Sequence, residues 1–132
     1  MKSYLTHLEC TYCHITCSAD EPHRTCAECS KVLYPRYDLR AASADLTPDE
    51  LRGRPADMWR YFEVMPVRDE ANIVTLGEGF TPIFKTDRLG RDVGCTSLYM
   101  KDEGLNPTAS FKARGLSAAV SKAKELGLTR LA

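Results

Sequence analysis

The chain has 132 residues, 43% hydrophobic and 27% charged, a composition that excludes a disordered or fibrous protein and leaves one modest domain, or a small module joined to part of a larger one. Eighteen basic side chains balance eighteen acidic ones, so no whole-chain field draws in nucleic acid or an anionic membrane. No run approaches the roughly 18 apolar residues that span a bilayer, and residues 1–7 lack the apolar centre of a secretory leader; the expectation is a cytoplasmic protein, in which paired cysteines hold metal more often than they form disulfides.

Residues 1–38 read as a cysteine module. Cys10 and Cys13, then Cys26 and Cys29, form two Cys-x-x-Cys pairs, and a strand is expected over Val32–Tyr37. Two such turns folded against each other place four thiolates at the corners of a tetrahedron, the geometry of a closed, structural zinc site of zinc-ribbon type. Four protein ligands leave no position for water or substrate, so such a metal supports folding rather than chemistry. A redox dithiol pair and a site without metal are the competing readings. Zinc knuckles often carry glycine just after the second cysteine of each pair, whereas His14 and Ser30 stand there, and backbone strain is expected at both. Cys17 and Cys95 read as small hydrophobes, and His7, His14 and His23 as surface histidines.

Residues 39–72 read as a linker and helical arm. Thr47, Pro48, Asp49 and Glu50 supply an N-cap, a proline at the first helical position and an acidic first turn. Trp59, with Met58 and Phe62 beside it, reads as a packing anchor onto a larger body.

Residues 73–132 read as strands and a helix. Strands are expected at Ile73–Leu76, Pro82–Phe84 and Ser97–Met100, separated by glycine-bearing turns. Ser110 then caps a helix with Leu116, Ala119, Val120, Ala123 and Leu126 at helical spacing, Gly127 ends it, and Leu128–Ala132 begins another strand. Strand, helix and returning strand form a βαβ unit, so the expected class is α/β, the beginning of a parallel-sheet domain, truncated, because such a sheet needs more of these units than residues 73–132 supply. Lys112 falls at the start of that helix. A buried lysine beside the positive end of a helix, the setting expected of Lys112, sheds its proton more readily and becomes a nucleophile, although composition alone favours a solvated helix lysine.

The run from Lys101 to Lys112, Lys-Asp-Glu-Gly-Leu-Asn-Pro-Thr-Ala-Ser-Phe-Lys, resembles the Schiff-base segment of the pyridoxal-phosphate enzymes of fold type II, the threonine synthase and tryptophan synthase β group. Leu76 to Ile83, Leu-Gly-Glu-Gly-Phe-Thr-Pro-Ile, resembles the glycine-threonine-proline turn near the substrate pocket of that group. The cysteine module ahead of both, with Trp59, Arg60 and Tyr61 between, is similar to the N-terminal layout of many bacterial and archaeal threonine synthases. The resemblance implies that Lys112 holds pyridoxal 5'-phosphate, that Phe111 lies by its ring, and that Thr81 lines the substrate side. It also implies a small-molecule amino-acid substrate, O-phosphohomoserine, converted with water to threonine and phosphate. Neither nucleic acid nor membrane is an implied partner, and the complete enzyme can be a homo-oligomer. Ala109 departs from the usual glycine and Ala113 from a common aspartate. The group's asparagine loop for the cofactor ring and glycine-rich loop for its phosphate have no counterpart before Ala132, so the chain is expected to be an N-terminal fragment, inactive alone. Two alternatives stand: a fragment of another lyase or synthase of the group, and a free-standing zinc-ribbon binding module.

Overall fold

The computed structural model describes residues 1–131. Three antiparallel strands form the cysteine module: β1 (Leu5–Cys10) lies between β2 (Thr16–Cys17) and β3 (Leu33–Tyr37). The expected strand over 32–37 is β3, and its position at the sheet edge accommodates Pro35, which cannot donate to a ladder. The central strand, β1, was not legible because its side chains do not alternate cleanly between apolar and polar. The β1–β3 register accordingly shifts between Leu5 and His7.

The arm begins with two short capped helices. Asp38 accepts from the Ala41 amide ahead of α1 (Leu39–Asp45), and Thr47 accepts from the Glu50 amide ahead of α2 (Pro48–Arg52), each cap holding a helix too short to be stable alone. A 3-10 stretch, Met58–Val64, breaks at Tyr61. It delivers Met58, Trp59 and Phe62 to a buried cluster with Val67, against which Met65, Ile73 and Ala118 pack. Trp59 anchors the arm to the last helix, where its indole N–H donates to Ser117 Oγ at 3.1 Å.

The C-terminal half departs from the expected parallel sheet. Its two strands, β4 (Ile83–Lys85) and β5 (Tyr99–Lys101), pair antiparallel, Phe84 opposite Met100. A short helix, α3 (Asp87–Asp92), folds the chain back between them. A parallel neighbour would require a strand after the last helix, and residues 128–131 pair with nothing among the described residues; Ala132, the end of that expected strand, lies outside them. Residues 73–76 also form no strand. Val74 exchanges hydrogen bonds with serine hydroxyls instead: its amide donates to Ser121 Oγ at 2.8 Å and its carbonyl accepts from Ser117 Oγ at 2.7 Å.

Those serines belong to α4 (Lys112–Glu125), and they shift the face assigned by hydrophobic spacing, of which Ala123 is buried and Val120 and Leu126 are half-buried. The buried side is Ala113, Ser117 and Ser121, with Ala123, whereas Leu116 is 60% exposed. Small residues at i, i+4 and i+8 permit close approach, and the hydroxyls satisfy backbone groups that no sheet takes up. The helix ends as expected at Gly127, whose φ of 72° allows the Leu128 amide to reach Ala123 O and the Gly127 amide to reach Lys124 O.

A charged pair closes the arm. Glu63, 2% exposed, accepts from both terminal nitrogens of Arg54 at 2.7 and 2.8 Å, and Arg54 also donates to the Arg60 carbonyl. Removing one partner strands the other charge in a dry site, at a cost of about 3 kcal/mol. Arg54→Met is therefore expected to lower stability by about that amount in urea denaturation, and Arg54→Met with Glu63→Leu to recover most of it; a double variant as unstable as the single would show that the pair is not the cause.

Candidate active site and metal centre

The two cysteine pairs sit on turns of the same design. Cys10 N donates to Ile15 O and Cys26 N to Lys31 O, both at 2.9 Å, so each turn closes across five residues. The fifth residue of each turn, His14 or Ser30, takes a left-handed backbone with φ of 61° or 58°, the strain expected where glycine is absent. All four sulfurs lie within 4.8 Å of one another, with Cys10–Cys29 at 3.4 Å, Cys13–Cys26 at 3.5 Å and Cys13–Cys29 at 3.6 Å. Zinc–sulfur bonds of about 2.3 Å place tetrahedral sulfurs about 3.8 Å apart, so this donor set fits such an ion. Burial opposes a Cys10 thiolate, but the amides of Cys13 and Tyr12 and the neighbouring thiols outweigh it and lower its pKa. Cys17, half-buried on β2, and Cys95, exposed, stand outside the cluster. His14 faces Glu9 rather than the sulfurs.

The second constellation joins the two motifs of the C-terminal half. Residues 76–81 turn sharply, and Gly79, at φ 113°, packs so closely that a Cβ would lie 2.5 Å from Met58 N. Only glycine fits there. Asn106, buried ahead of the lysine, accepts from Gly79 N at 3.1 Å and donates to the carbonyl and carboxylate of Glu103 at 2.9 and 3.0 Å. Glu103 receives Arg114 through Nε at 2.6 Å and Nη2 at 2.8 Å, and Thr81 Oγ1 at 2.5 Å. Lys101 Nζ donates to Thr81 O at 2.7 Å. These hydrogen bonds, the Arg114 guanidinium foremost, hold the Glu103 carboxyl well below the usual carboxylate range.

Thr81 is thus buried and fixed, and with Lys101, Arg114, Asp57, Tyr61 and Phe80 it lines a cleft of about 420 Å³. Lys112 and Phe111 do not line that cleft. The expected burial of Lys112 is corrected: it is exposed, and Phe111 is 65% exposed. Ahead of it Ala109 takes a left-handed backbone, φ 52°, Ser110 Oγ accepts from the Lys112 amide at 3.2 Å, and α4 starts with Lys112 outward and Ala113 buried. Ser110 therefore serves the helix start, although the capping position itself is held by Phe111. Lys112 can hold a carbonyl cofactor by its free amine at the first turn of a 14-residue helix. Sequence reading singled out neither Asn106, Glu103 nor Arg114 as organisers; the signal available was an acid and a base inside one strand-turn-helix motif.

Residues 74–131 match the family model described as pyridoxal-phosphate dependent enzyme. The threonine synthase of Methanocaldococcus jannaschii is 42% identical over 119 residues, 90% of this chain and 29% of that protein. The threonine synthase of Methanosarcina acetivorans is 40% identical over 126 residues, 96% of this chain and 30% of that protein, a coverage that takes the similarity through all four cysteines. The threonine synthase of Halalkalibacterium halodurans is 49% identical over 67 residues, 51% of this chain and 19% of that protein. The chain spans less than a third of the length of these curated relatives. Among the described residues, no helix is long and apolar enough to cross a membrane.

Two outcomes follow from this geometry. Ser30→Gly and Ala109→Gly each relieve a left-handed side chain and are expected to raise stability by about 0.5–1 kcal/mol in urea denaturation; Gly79→Ala is expected to lower it. The Glu103 carboxyl, depressed from its ordinary value of 4.5, contributes stability that is complete above about pH 4.5 and is lost as pH falls through the folded-state value. Thermal midpoints of Glu103→Gln are therefore expected to fall less steeply than those of the parent as the solution is acidified below that point; parallel acid limbs would remove Glu103 as a source of the acid sensitivity.

Proposed function

We propose, from the match of residues 74–131 to the pyridoxal-phosphate dependent enzyme family model and the likeness to threonine synthases, that this chain is the N-terminal portion of a threonine-synthase-like lyase acting on O-phosphohomoserine. The observation that carries the reading is the node in which Asn106, Glu103 and Arg114 bind the lysine turn to the Gly79–Thr81 turn. It supports a site in which the turn ahead of the attachment lysine and a substrate-side threonine are held by one network. When bound, the cofactor supplies an electron sink for a carbanion at the substrate Cα.

The chain's own residues have the following parts. The Lys112 amine is the covalent attachment point, and when released its Nζ takes and returns protons. Phe111 offers a ring edge or face to the cofactor. Thr81, its hydroxyl already committed to Glu103, presents a fixed methyl and oxygen on the substrate side. Cys10, Cys13, Cys26 and Cys29 hold zinc as a structural ion. With Lys112 and Phe111 both exposed, turnover by the 132-residue chain alone is expected to be negligible, because orientation and exclusion of water supply much of the rate.

A second reading, a zinc-ribbon module that binds another protein, draws on the apolar side chains Ile83, Phe84, Tyr99 and Met100, all exposed on β4 and β5.

Borohydride reduction of the chain mixed with pyridoxal phosphate, followed by peptide mass mapping, tests the leading reading. The label is expected on Lys112 in preference to the other lysines and to vanish in Lys112→Ala; an even spread of label would overturn the assignment and favour the binding module. Elemental analysis is expected to find one zinc bound by the four cysteines, lost in Cys10→Ala or Cys29→Ala; unchanged zinc in those variants would refute the site.

A further inference from the structure

The segment between the two cysteine pairs does more than connect them. Ala19 is buried against the rest of the chain, and Asp20, beside it, reaches out of the cysteine module to Arg68, accepting from Nε at 2.6 Å and from Nη2 at 3.0 Å. Arg68 also returns to the module through Nη1, which donates to the β1 carbonyl of Leu5 at 3.0 Å. On its other side the same residue meets α4: the amides of Arg68 and Asp69 both donate to Glu125 Oε1, at 2.7 and 2.9 Å. Lys122, one turn earlier on α4, ties both ends together, 2.7 Å from Glu125 and 3.6 Å from Asp20. A groove of about 260 Å³ runs beneath, lined by Leu5, Leu8 and Ala19 from the module, by Ala118 and Ala119 from α4 and by Leu126 just past its end.

We propose that Asp20 and Arg68 are positioning residues that fasten the last two turns of the lysine-bearing helix to the cysteine module, so that closure of the four-cysteine cluster fixes the helix on which Lys112 stands. The inference rests on the metal reading of the cysteines and on Lys112 as the attachment residue. Its physical basis is the placement of Asp20. No helix or long strand supports this loop; it is bounded by the two-residue strand β2 and by Cys26, so its position depends on the two cysteine turns being held together. A bidentate arginine–carboxylate pair is directional and tolerates little displacement. When the turns separate, Asp20 withdraws, Arg68 and Lys122 lose their carboxylate partner in the module, and the C-terminal half of α4 keeps only its contacts outside the module, among them Glu125 with the Arg68 and Asp69 amides and Lys124 with the Ala71 carbonyl. Arg68 and Lys122 are the cations facing Asp20, and each also contacts Glu125 by a backbone or side-chain donor, which makes the four residues one network rather than two independent pairs.

Hydrogen exchange of the α4 amides in the full chain, read by mass spectrometry with and without a zinc chelator, tests this without requiring cofactor or turnover. Zinc content is followed in parallel by elemental analysis. In the parent chain, chelation is expected to speed exchange in residues 118–125 by about fivefold, the scale of one well-oriented ion pair. Asp20→Ala is expected to retain zinc, to show that faster exchange already in the loaded state, and to respond no further to chelation, while Asp20→Glu restores the dependence. Zinc bound but α4 exchange unaltered by its removal would overturn the coupling and leave the metal reading intact. Should the parent bind no zinc, the metal reading fails, and the Asp20 variants still decide: faster exchange in α4 but not in β1 and β3 for Asp20→Ala, reversed in Asp20→Glu, upholds the fastening, and equal exchange in all three proteins refutes it.

Discussion

The hydroxyl of Ser117 is the junction on which the rest of the molecule depends. It accepts the Trp59 indole and donates to the Val74 carbonyl, so the aromatic arm, the segment leading into the Gly79 turn and helix α4 meet at one atom. A neutral hydrogen bond contributes only about 1 kcal/mol net, but a buried donor or acceptor left unpaired costs more than its formation yields. Loss of this oxygen would leave the indole N–H without its partner and the Val74 carbonyl with only the longer Ser121 Oγ bond, 3.3 Å. The small size of serine matters equally, since it lets Trp59 and Phe62 close over the helix in a chain whose central cluster is only a handful of large side chains.

The parts of the fold legible in the sequence were those in which a local rule decides the structure. Paired cysteines, the Thr47 and Pro48 helix start, and the Gly127 stop each act within a few residues, and each is found where the pattern puts it. The parts that were not legible depend on what a segment meets. Leu116 and Val120 carry the periodic signal of a buried face, yet α4 turns its serines inward because those serines satisfy Val74. Ile73 to Leu76 is rich in β-branched residues, but strand propensity is realised only against a neighbouring strand, and α4 is what lies beside it. Lys112 was placed inside on the strength of its expected chemistry, whereas at the first position of α4 its side chain is exposed.

Left-handed backbone at residues other than glycine marks the cysteine turns and the two motifs of the C-terminal half. His14 and Ser30 follow the cysteine pairs, Phe80 precedes Thr81, and Ala109 precedes the lysine turn. Such conformations cost on the order of 1 kcal/mol or more each and persist where surrounding bonds over-determine them. Here those bonds are visible: Ser30 N to Cys26 O, Gly79 N to Asn106, Ala109 N to Asn106 O. Asn106 thus serves two of the four strained turns, by its side-chain oxygen at Gly79 and its backbone carbonyl at Ala109, and so holds two sequence motifs in a common frame.

Trp59 is the one tryptophan of the chain, and its burial against α4 gives the protein an intrinsic optical probe. Indole emission shifts to the red when the ring reaches water, and the Ser117 contact sets the ring at the seam between the arm and the helix. Any event that loosens that seam is therefore visible in the native fluorescence spectrum, with no label added and no other indole to confuse the signal.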